Sequence, residues 1–157
     1  MPLTLRFTRL SDELHRFEYV RADGTGEALD LETAAYLARD LARYAVESTA
    51  GLRGSFYGLL DRIGGYAELS LGAGGLGGEA QLTEIAVAVL AAASDGEFDA
   101  QASAETIAGY FADLDLRAPR WLTADFIAAV GERLQGLTAQ WAATSPGKTM
   151  ELTFDPG

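Results

Sequence analysis

The two ends of the 157-residue chain carry the same signal, and it constrains the fold more than anything between them. Leu3, Leu5 and Phe7 alternate with Thr4, Arg6 and Thr8, the period-2 pattern of a half-buried strand. KTMELTF, just before the last residues, repeats it with Met150, Leu152 and Phe154 against Glu151 and Thr153. HRFEYVR at 15–21 alternates again with Phe17 and Tyr19 on one face, and SDEL supplies the intervening turn, so 3–21 reads as an antiparallel hairpin. ADGTG at 22–26 is a second turn, and EALDL adds a short third strand. A strand with one apolar face cannot stand alone, and the hairpin is the only sheet on offer. The chain ends therefore meet in one small antiparallel sheet, and four or five helices pack on it: an α+β fold over a single domain, 1–157.

From about residue 32 the apolar period becomes 3.6. At 100° per residue Ala34, Leu37, Ala38, Leu41 and Ala45 share one arc, with Tyr36, Arg39, Asp40, Arg43 and Glu47 opposite. Gly51 is the expected stop. SFYGLLDRIG at 55–64 reads as a short helix, and 63–81 as a glycine-rich loop. LTEIAVAVLAAA at 82–93 is apolar nearly all round and reads as the central, buried helix. AETIAGYFADL at 104–114 is helical, Pro119 marks a break, Thr123 is the N-cap of a long final helix, and SPG at 145–147 closes it.

A chain of this length buries roughly 70% of its unfolded surface, so a core needs no staples. The absence of cysteine excludes disulfides and thiolate metal sites. No stretch has the apolar run of a signal peptide or the roughly 20 residues of a membrane span. A cytoplasmic, soluble protein is expected, with no membrane partner. A net charge of −11, with Lys148 the only lysine and the arginines scattered, argues against nucleic acid, whose phosphates demand basic clusters.

Three features invite a chemical reading. GAGGLG at 72–77 matches the glycine spacing of a dinucleotide loop. YAELSL before it carries Glu68 and Ser70 where a buried parallel strand is apolar, no second strand follows, and Asp95 falls beyond the helix end, so the run reads as a connector and no cofactor is expected. His15, at the start of a strand, reads as a solvated turn residue. The charged stripe of the first long helix contains Asp40–Arg43 at i,i+3 and Arg43–Glu47 at i,i+4. On an exposed helix each such pair is worth about 0.2–0.5 kcal/mol. A wet face laced with ion pairs accounts for the stripe, except for Tyr36, which suggests a face partly covered by another helix or another chain.

LTLRFTRLSDELHRFEYVRADGTGEALDLET followed by LARDLARYAVESTAGLRGSFYGLL resembles a family of small uncharacterised bacterial proteins, over positions 3–60, and the likeness fades through the glycine run. In that family the helix tends to read L-H-D-L-x-H-x-A-V-E. The resemblance places its histidines at Arg39 and Arg43 and its glutamate at Glu47. Two histidines and a glutamate at i, i+4 and i+8 lie on one stripe with spacing suited to a divalent metal. Arginine has no lone pair to offer, so this member has lost the site or turned it into an Arg–Glu pair, and no metal is expected. The family carries no function to transfer. The leading expectation is a non-catalytic domain that binds a protein partner or forms a homodimer. The alternative is a hydrolase-like or ligand-binding protein with a cleft beside the 32–50 helix, lined by Tyr36, Arg39, Asp40, Arg43 and Glu47.

Overall fold

A computed structural model describes residues 2–62, 65–71, 78–93 and 98–156. The order is β1 (Leu3–Arg9), β2 (Leu14–Val20), β3 (Gly26–Glu32), α1 (Thr33–Ala50), α2 (Phe56–Arg62), α3 (Tyr66–Leu71), α4 (Gly78–Ala93), α5 (Ala100–Asp113), α6 (Ala124–Ala142) and β4 (Thr149–Phe154). The four strands form one antiparallel sheet in the order β3-β2-β1-β4. Leu3 stands opposite Phe154 and Phe7 opposite Met150, so the first and last strands are neighbours, as their patterns require.

The sheet has one apolar and one polar face because the side-chain period is 2. Leu3, Leu5, Phe7, Phe17, Tyr19, Met150, Leu152 and Phe154 point into the core. On the other face Arg6 bonds both Glu18 and Glu151, and Arg16 bonds Asp30. Gly26 begins β3 because a Cβ there would collide with the carbonyl oxygen of Tyr19 across the ladder.

Among the described residues, helices cover only the apolar face. α1 ends at Gly51, whose φ is 69°. That is the left-handed C-terminal cap, which glycine adopts without strain. Thr123 caps α6 by accepting from the Phe126 N–H, and Asp99 does the same for α5 from Ala102. The described residues hold six helices rather than four or five. The expected 63–81 loop is interrupted by α3, and its last residues are the first turn of α4; GAGGLG at 72–77 lies outside the described residues. YAELSL is thus helical, which removes the strand a dinucleotide loop would need. The central helix is α1, not α4: every residue from Asp40 to Glu47 is buried, with α4 and α6 packed against it and Tyr44 donating to the Thr153 carbonyl of β4. Among the described residues no helix is long and apolar enough to cross a membrane.

Candidate functional site

The charged stripe of α1 does not face water. Asp40 and Glu47 are fully buried and Arg43 nearly so. Two pairs at exposed-helix strength could not offset the desolvation of three charged groups, so further partners must come from elsewhere. They come from α4, α2 and α3. Arg43 Nη1 donates to Asp40 Oδ1 at 2.9 Å. Its Nε and Nη2 donate to the two oxygens of Glu84 on α4 at 2.8 and 3.2 Å. Such a fork on a carboxylate is among the stronger polar contacts. The guanidinium also lies 4.2 Å over the ring of Phe56, where the ring's negative face attracts it. Tyr66 of α3 donates to the other Asp40 oxygen at 2.7 Å, and Tyr57 of α2 donates to the Asp40 backbone carbonyl at 2.8 Å.

Glu47 is not paired with Arg43. Its Oε1 accepts the backbone N–H of Tyr57 at 2.8 Å, at the start of α2. Its Oε2 is buried with no hydrogen-bond partner among the described residues. Burial pushes the Glu47 carboxyl up to about 8, against the pull of the Tyr57 and Gly58 N–H groups, so at neutral pH it mostly holds its proton. Burial also lifts Asp40, to about 6, opposed by Arg43 and Tyr66. Glu84 behaves oppositely: burial raises it, but the hydrogen bonds and charges of Arg43 and Arg39 together outweigh burial and hold it below its ordinary value.

The remaining two expected residues lie at the rim. Arg39 is exposed and donates to Glu84 Oε2 at 3.0 Å. Tyr36 is 38% exposed, and its ring meets Tyr66 edge-on, so the helix that partly covers it is this chain's own α3. The residues at 39 and 43, where the resemblance implies histidines, thus converge on one carboxylate outside the stripe that the sequence singles out. The signal for Glu84 is its place as the single charge inside LTEIAVAVLAAA, because a carboxylate in an apolar helix requires a partner. Among the described residues no group of three or more histidine, aspartate or glutamate side chains is placed to hold a metal ion.

His15 corrects a second expectation. It shares the inward parity of Phe17 and Tyr19 and is fully buried, between the rings of Phe7 and Trp141. Nδ1 bonds the Thr33 hydroxyl at 3.0 Å, Nε2 has no partner among the described residues, and desolvation lowers the imidazole to about 4. It is a neutral core residue.

The open surface is elsewhere. α4 turns Ala86, Val87 and Leu90 toward the core, while Ile85, Ala88, Val89 and Ala92 line a groove of about 440 Å³ against Tyr110 and Leu114 of α5. Tyr110 is 52% and Leu114 57% exposed. Glu84 lines the same groove at its α1 edge, and beyond Val89 and Ala92 the depression continues toward Asp99, Ala102 and Thr106. The all-round apolar pattern of α4 therefore divides into a core face and a groove face. No family model, no curated protein and no solved structure matches the chain.

Proposed function

We propose that this chain is a non-catalytic protein-binding domain whose contact surface is the α4–α5 groove. The observation that carries the reading is the contrast between two sets of residues. The acids and arginine that a hydrolytic or ligand-binding cleft would use, Asp40, Arg43 and Glu47, are sealed between helices and bonded to protein groups. Large apolar side chains, Ile85, Val89, Tyr110 and Leu114, line an open trough instead. Concave apolar surface rimmed by polar groups is what protein recognition uses.

The test is photocrosslinking in cells that express the protein. Benzoylphenylalanine replacing Ala88, in the groove, should give a protein adduct of discrete mass. The same residue replacing Gln140, exposed on α6 outside the groove, should give none. Equal labelling at both positions, or no adduct from position 88, overturns the reading.

A further inference from the structure

The groove carries information about the chemistry of what fills it, an inference that rests on the protein-binding reading above. Between Arg62 and Arg117 the sequence contains nine acidic residues and no lysine, arginine or histidine. Both groove-forming helices fall inside that stretch. Residues 81, 85, 88 and 92 form one stripe of α4 at spacings of four, three and four, about 17 Å long at about 1.5 Å per residue. On α5, Asp99, Ala102, Thr106, Tyr110 and Asp113 recur at spacings of three and four, so acids stand at both ends of the row that edges the trough. Asp99, Asp113 and Asp115 are all exposed. The arginines that reach the opposite edge, Arg39 and Arg43, are both engaged with Glu84.

A three-turn apolar trough with small residues, Ala88 and Ala92, on its floor has the shape that accepts one face of an amphipathic helix anchored at i, i+3 or i+4, and i+7. The acidic rim states what the other face must carry. We infer that the α4–α5 groove docks a positively charged amphipathic helix of a partner protein, with its apolar side chains against Ile85, Val89, Tyr110 and Leu114 and its basic side chains toward Asp99 and Asp113. A second copy of this chain is disfavoured by the same charges. Two α4–α5 faces brought together would juxtapose like-signed rims, in a molecule of net charge −11.

The test measures fluorescence polarisation of three labelled synthetic helices that share leucines at alternating three- and four-residue spacing. Their polar faces carry lysine, glutamine or glutamate. The lysine helix should bind at least tenfold more tightly than the glutamine helix and weaken at least fivefold between 50 and 500 mM salt, and the glutamate helix should not bind. Two exposed, charge-neutral changes, Ala88→Gln with Leu114→Gln, should weaken the lysine helix at least tenfold. Asp99→Asn with Asp113→Asn should weaken it at least threefold, asparagine retaining the cap at 99. Asp125→Asn with Glu132→Gln, the same charge change on α6, should alter it less than twofold. Far-UV circular dichroism confirms that each variant is folded.

Lysine and glutamine helices that bind the groove equally well would overturn the charge inference and leave the protein-binding reading standing. Lysine-helix binding indifferent to the Ala88 and Leu114 changes would overturn the inferred site. So would a wild-type dimer, dissociated by those changes, that ignores all three helices: the occupant would then be a second copy. Failure of all three helices together with no crosslink from position 88 would overturn both readings.

Discussion

Replacing Glu47 by glutamine removes one proton-binding group from the centre of the molecule while keeping its shape and the acceptor that Tyr57 N–H requires. The unfolded chain releases the Glu47 proton near 4.5, and the folded chain holds it until about pH 8. Because the folded value is raised, its contribution to stability is complete below 4.5 and is lost as pH climbs to 8. The separation of about 3.5 pH units corresponds to about 5 kcal/mol lost by the wild type across that window. Glutamine does not titrate, so its chain loses none of this. It does bury an amide whose two N–H donors meet the side where Oε2 finds no partner among the described residues. An unsatisfied buried donor of this kind carries a pH-independent cost of about 1–2 kcal/mol. Glu47→Gln should therefore be slightly less stable than wild type at pH 5 and about 3 kcal/mol more stable at pH 8.5. Urea denaturation followed by tryptophan fluorescence measures this, with equal m-values required in both chains. Asp40 and His15 titrate in the same range but are common to both, so they cancel in the difference. A gap between the two chains that is the same at both pH values would refute the assignment of a protonated, buried Glu47.

Other substitutions probe the same contacts. Arg43→Met removes the buried cation that Asp40 and Glu84 share, leaving Asp40 its hydrogen bond from Tyr66 and Glu84 its bonds from Arg39. It should cost about 3 kcal/mol, whereas adding Asp40→Asn and Glu84→Gln should restore part of that loss. A triple variant less stable than the single one in chemical denaturation would show that the arginine acts through packing alone. His15 has a depressed folded value, so the stability present above about 6.5 is lost as pH falls toward 4, by about 3 kcal/mol. His15→Phe should abolish that slope, and parallel acid-limb melting curves would contradict it. Deleting residues 148–157 uncovers Leu3, Leu5 and Phe7 and removes the buried Met150, Leu152 and Phe154. Those three side chains represent roughly 5–9 kcal/mol of apolar burial, comparable with the whole stability of a domain. The shortened chain should aggregate on size-exclusion chromatography, and a monomer with an unchanged melting temperature would refute the pairing of β1 with β4.

Period and parity make the sheet legible. LTLRF and MELTF each present one apolar edge, and among the described strands MELTF pairs with β1 alone, on the side of β1 that the hairpin leaves open. The same parity places His15 beside Phe17 and Tyr19, but a neighbouring turn signals solvent and masks it. The helix of 32–50 is legible as an element and deceptive as a surface. A polar arc ordinarily means water, and nothing within α1 discloses that Glu84, 41 residues beyond Arg43, reaches back to it. Local periodicity reports which side chains share a face; it does not report what covers that face. α4 shows the converse: an all-round apolar helix signals interior, although only one side of it meets the core. α3 escapes pattern reading because six helical residues between glycines leave no second turn for a 3.6-residue period to establish itself.

The rung that joins Leu3 to Phe154 has a mechanical consequence. A pull on the two ends of this chain arrives at the same end of the β1–β4 ladder. In an antiparallel pair the hydrogen bonds lie perpendicular to the strands, so such a load falls along each bond in turn, not across the whole row at once. The ladder opens like a zip from Leu3–Phe154 toward Thr8–Thr149, each rung giving way under a small force. The same molecule pulled between Arg9 at the far end of β1 and a handle beyond Phe154 would place the whole row in shear, and would resist far more. Held by its ends, the sheet is a soft release, and β4 is the first element to leave it.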